Sequence, residues 1–143
     1  MFLFDFVSEN WSHEIFTEFC EKIIADNDKL KLGLALKKDF ENLKKEYGSD
    51  MSGIFRNYLD IGETYKSLFM DGKSSLDHIV WELLGKKLSK FEQCSCWSSR
   101  PLRKSQMHYA AMDAFVLNRL YKRFVDMENG VYDEIMFTDN FGF

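Results

Sequence analysis

Between Leu30 and Lys37 the chain alternates, with Leu30, Leu32, Leu34 and Leu36 set against Lys31, Gly33, Ala35 and Lys37. A two-residue apolar period is the mark of a β-strand with one buried face, because successive side chains point to opposite sides of a sheet. What surrounds this strand decides the kind of sheet. Upstream, Ile15, Phe16, Phe19, Cys20, Ile23 and Ile24 recur at helical spacing between Ser12 and Ala25, with Ser12 placed to cap the first turn. Further upstream, the apolar run Phe2 to Val7 reads as a buried strand. Downstream, Lys38 to Tyr47 reads as a short polar helix closed by Gly48. Tyr58 to Ile61 reads as a third strand that leads into a helix around Glu63 to Phe69. The order β-α-β-α-β-α predicts an α/β domain with a parallel or mixed sheet.

The second half carries helices only. Ser75 is placed to cap a helix over Leu76 to Leu84 that stops at Gly85, and a long helix is expected from about Ser105 to Met127 after an irregular stretch from Lys86 to Leu102. The tail from Glu128 to Phe143 mixes turn signals with scattered apolar residues and reads as irregular. No repeat or linker divides the 143 residues, which suit one domain: residues 1–127 as the folded body, residues 128–143 as a tail.

Composition narrows the class. With 45% hydrophobic and 16% aromatic residues, the chain is too rich in core-forming side chains to be disordered. A net charge of -4 argues against a protein that coats nucleic acid through its overall charge, while leaving room for a local basic groove. Three cysteines and no apolar run suited to a secretion signal or membrane span predict free thiols and a cytoplasmic or nuclear setting, with no membrane partner.

Two places could carry chemistry. Tyr109 and Asp113 stand four apart in the long helix, so a phenol and a carboxylate share one helical face. The carboxylate suits a hard divalent cation, and the phenol can hydrogen-bond a water or a phosphate oxygen beside it. Asp39 lies just past the second strand, where open α/β sheets place their ligands. Spacing alone also allows ordinary readings: a half-buried helix face for the first pair, and a first-turn acid favoured by the helix dipole for Asp39. Cys94 and Cys96 lack the further ligands of a closed zinc site, and His13, His78 and His108 are scattered singly.

The segment Ser75 to Lys90 ends a helix in Leu84-Gly85-Lys86. Gln93-Cys94-Ser95-Cys96-Trp97-Ser98-Ser99-Arg100-Pro101-Leu102 follows, then Gln106 and Tyr109-Ala110-Ala111-Met112-Asp113-Ala114. This order closely resembles the C-terminal half of DEDDy 3′-5′ exonuclease domains, the ribonuclease D, Werner and metazoan mutator/nibbler group, and is most similar to the mutator/nibbler branch. The likeness extends upstream, with Lys31 to Leu43 resembling the family's second motif, and covers roughly residues 2–126.

The resemblance implies a ribonuclease H-like mixed sheet flanked by helices, with the family's first two strands missing and a helical C-terminal half. It implies Asp113 and Asp39 as metal-associated carboxylates for Mg²⁺ or Mn²⁺, and Tyr109 as the residue that positions the attacking water. It turns the basic cluster around Lys90, Arg100, Arg103 and Lys104, with Trp97 and His108, into a candidate grip on the 3′ end of single-stranded RNA or DNA.

The family's first motif is an Asp-x-Glu on the first strand, and none precedes Asp39 in these residues. Asp5 and Glu9 are four apart and make poor substitutes. A two-metal hydrolase needs more anionic ligands than two carboxylates and a tyrosine supply. The expectation is therefore a 3′-5′ exonuclease domain, RNA favoured over DNA, whose hydrolysis is impaired. The alternative is a non-catalytic module on the same scaffold that binds nucleic acid or a protein partner.

Overall fold

The computed structural model describes residues 12–47 and 55–131, which divide into two compact units, one up to Thr64 and one from Tyr65 onward. The expected strand at Phe2 to Val7, the helix stop at Gly48 and the tail beyond Val131 lie outside the described residues.

In the first unit, helix α1 spans His13–Phe19, and Ser12 Oγ accepts from the backbone N–H of Ile15 as the sequence predicts. The helix does not run on evenly to Ala25. Residues Cys20–Ile24 form a wider π turn, closed where the Ala25 N–H donates to the Cys20 carbonyl at 2.8 Å. Phe16 and Cys20 are buried there, with Phe19, Ile24, Leu43 and Phe55 packed against them. Burial of Phe16 stabilises the unit by about 2 kcal/mol. Burial also pushes the Cys20 thiol up to about 11, so it behaves as a small apolar side chain.

Strand β1 spans Lys31–Gly33 and pairs in parallel with strand β2, Tyr58–Asp60, in the register Lys31↔Tyr58, Leu32↔Leu59 and Gly33↔Asp60. The alternation that runs to Leu36 thus yields only three strand residues, and helix α2 starts at Leu36 rather than Lys38, running to Tyr47. Two features cut the strand short. Ala35 takes a left-handed conformation (φ 57°), which turns the chain out of the sheet. Asp60 Oδ2, at the end of β2, accepts from the Leu36 N–H at 2.8 Å and starts the helix there. The turned-back Leu36 side chain fills the space beside Gly33 where a Cβ would stand, so a larger residue there would require Leu36 to shift.

Asp60 has a second task. Its Oδ1 accepts from the N–H groups of Gly62 at 3.0 Å and Glu63 at 3.2 Å, capping helix α3, which spans Ile61–Phe69. One carboxylate therefore opens two helices.

In the second unit, helix α4 spans Leu76–Leu84, with Ser75 as N-cap and a left-handed Gly85 (φ 63°) as C-cap, both where the sequence puts them. It buries Ile79, Val80 and Leu83. Helix α5, Lys104–Glu128, buries Val116, Leu120 and Phe124, one face at four-residue spacing, and α4 packs on α5. Tyr65 is buried, its ring stacked on Phe69 and edge-on to His78, whose Nε2 lies 2.7 Å from Asp71. No helix among the described residues is long and apolar enough to cross a membrane.

Candidate functional site

The first turns of α5 bear on the turn that precedes them. Gln106, two per cent exposed, is the hub. Its Oε1 accepts from the Arg103 N–H at 2.9 Å, which caps the helix start. Its Nε2 donates to Ser95 Oγ at 3.0 Å and to the Cys96 carbonyl at 3.1 Å, which ties the preceding turn to the helix. Glu92 is buried beside this hub and accepts from the Arg103 guanidinium at 2.6 Å. Hydrogen bonds from Ser105 and Ser95, with the Arg103 charge, hold its carboxyl below the usual carboxylate range. Its backbone carbonyl accepts from Trp97 Nε1 at 3.0 Å. Arg100 donates to the carbonyls of Trp97 at 2.7 Å and Ser99 at 2.9 Å, folding its guanidinium back on the same turn.

This scaffold places an aromatic pair. The Trp97 ring centroid lies 6.0 Å from that of Tyr109 at a 52° tilt. Tyr109 is half-buried, and desolvation, followed by the negative charges of Asp113 and Cys94, raises its phenol above its ordinary value, with Lys90 opposing. Burial raises the Asp113 carboxyl as well. A carboxylate displaced this way is one that a cation or a donor would stabilise. Tyr109 and Asp113 thus share one face of α5, as their spacing predicts.

The basic residues divide. Lys90 pairs with Asp77 at 2.8 Å and Arg103 with Glu92, while Lys104 and His108 are exposed at the start of α5. Phe91 stands 87% exposed in the turn. Cys94 and Cys96 are both exposed free thiols, and hydrogen bonds from the Ser98 and Ser99 hydroxyls draw the Cys96 thiol down to about 7.

Asp39 lies in the first unit, in the first turn of α2. The residue is exposed as a whole, yet enough atoms crowd its carboxyl that desolvation raises its pKa, with Lys38 opposing and the charge of Asp60 adding. Asp60 spends both oxygens on backbone N–H groups. Among the described residues no three His, Cys, Asp or Glu side chains converge as metal ligands. Their donors do not fit a complete two-metal centre.

Three polar residues matter more than the sequence suggested. Asp60 ends a strand directly before a helix, an N-cap signal. Gln106 occupies the third position of its helix, the Glu/Gln place of a capping box. Glu92 carries only a weak signal, a single acid among basic neighbours.

A family model described as 3′-5′ exonuclease matches residues 5–128. Exonuclease mut-7 of Caenorhabditis elegans is 35% identical over 97 residues, 65% of this chain and 10% of that protein. The Aedes aegypti exonuclease mut-7 homolog is 53% identical over 47 residues, 33% of this chain and 6% of that one. The chain thus spans a tenth or less of these relatives' length. The crystal structure of the Aedes aegypti Nibbler EXO domain superposes with a TM-score of 0.77 at 24% identity, over 92% of this chain and 67% of that domain. The fold is accordingly α/β and ribonuclease H-like, with part of that domain represented.

Proposed function

Because the chain belongs to the 3′-5′ exonuclease family, on its mut-7/Nibbler branch, we propose that its α5 face receives the 3′ end of single-stranded nucleic acid, RNA favoured, and that hydrolysis by these residues is impaired. The observation that carries the reading is Tyr109 and Asp113 on one face with Trp97 against the phenol. In this reading residues 1–127 form the exonuclease body and 128–143 its tail.

Each residue has a part. Tyr109 would orient a water or phosphate oxygen through its hydroxyl. Asp113 and Asp39 would each offer a carboxylate to Mg²⁺ or Mn²⁺, a ligand set that the described residues alone do not complete. Trp97 would stack on a base, with Lys90, Lys104 and His108 supplying donors to the backbone phosphates. Arg100 and Arg103 spend donors on the turn, so they would shape the grip as well as charge it. The carboxylate count among the described residues supports impairment, and it also favours the second reading of a binding module that does no chemistry.

The test uses the purified 143-residue chain, 5′-labelled single-stranded RNA and Mn²⁺, beside an Asp113→Asn variant. Retention of the RNA without shortening is expected. A 3′ ladder that needs both Mn²⁺ and Asp113 would overturn the impairment, and absence of retention would overturn the substrate class.

A further inference from the structure

Gln106, Tyr109 and Asp113 occupy successive turns of α5, and the side chain that opens this row is buried and polar. A buried amide with one acceptor and two donor bonds satisfied is held in one orientation. Its two ends do different work. The oxygen starts the helix, and the nitrogen holds Ser95 and the Cys96 carbonyl, one residue before Trp97. Trp97 is then fixed by its indole N–H on the Glu92 carbonyl, and its ring stands against Tyr109.

We propose that Gln106 is a positioning residue for the nucleic-acid face: through its Nε2 it sets the place of Trp97 relative to Tyr109, without touching substrate itself. The proposal rests on the reading of that face given above, yet its structural half stands separately.

Gln106→Glu separates the two ends. A carboxylate keeps the acceptor for the Arg103 N–H and suits a helix N-terminus, but it cannot donate to the Cys96 carbonyl. Measured by NMR on the full chain, hydrogen exchange of the Trp97 indole N–H, assigned with Trp97→Phe, is expected to quicken about tenfold, while α5 amides stay protected. Affinity for an oligouridylate should fall about threefold or more, as expected from a displaced stacking platform. Ser95→Ala, which removes one partner from the turn side and leaves α5 intact, should shift the same indole signal in the same direction by less.

An indole signal unchanged in both variants would overturn the positioning role. So would a Gln106→Glu loss of protection spread evenly through α5, which marks a merely structural residue. If the wild-type chain does not bind the oligonucleotide, the substrate reading falls and the indole comparison still decides the positioning one.

Discussion

Replacing Asp60 by Ala removes the only side chain that joins the end of β2 to the starts of both α2 and α3 through described hydrogen bonds. The cost can be built bond by bond. Gly62 is buried, so its N–H is left without water and loses about 1–2 kcal/mol. Leu36 is half-buried and loses about 1 kcal/mol, and the exposed Glu63 N–H finds water at a cost of a few tenths. The sum, about 3 kcal/mol, agrees with the loss of two N-caps at about 1 kcal/mol each plus a charge-assisted component. For a chain of this size that lowers the melting midpoint by roughly 10 °C. Circular dichroism melts and urea titrations of wild type, Asp60→Ala and Asp60→Asn would measure it, with Asn expected to lose about half as much because its amide oxygen still accepts. A loss below about 1 kcal/mol in Asp60→Ala would refute the account of a carboxylate that starts two helices.

Two further tests probe titrating groups. Asp71 is held below the usual carboxylate range by the Lys73 N–H first and by His78 next, so its contribution is complete above the unfolded Asp value near ~4 and is lost as pH falls through the lower folded value. Asp71→Asn should therefore flatten the acid limb of a stability-against-pH curve and leave the neutral region nearly level. For the thiols, iodoacetamide at neutral pH should label Cys96 ahead of Cys94, with a rate that rises through pH about 7, and should spare buried Cys20. Ser99→Ala should raise the Cys96 midpoint and slow its labelling at pH 7; tandem mass spectrometry, whose fragment ions separate Cys94 from Cys96 within their shared tryptic peptide, reads both results.

Much of the helical half was legible because its signals are local. Ser75 and Gly85 bound α4 as their types demand, and the long helix expected from about Ser105 to Met127 is α5, Lys104–Glu128. The Tyr109 and Asp113 face was legible for the same reason. The strand at Leu30 to Leu36 was overread, because its stop is set by the left-handed turn at Ala35 together with Asp60, 24 residues away from Leu36. Nothing within the alternation reports such a bond. Glu92 and Gln106 were underread for a related reason: a polar side chain in sequence looks solvent-facing until its partners, here Arg103, Ser95 and the Cys96 carbonyl, are brought to it.

The parallel pairing of β1 with β2 and the Asp60 bond to Leu36 also set an order of events as the chain is made. Neither β1 nor the start of α2 can be completed until residue 60 has left the ribosome. At about 5–20 residues per second, the 24 residues from Leu36 to Asp60 take roughly 1–5 s to synthesise. Through that interval Leu32 awaits its partner Leu59 on β2. The Lys37-Lys38 pair at the end of the alternating segment puts two charges beside its apolar residues, the placement that opposes association of exposed strands.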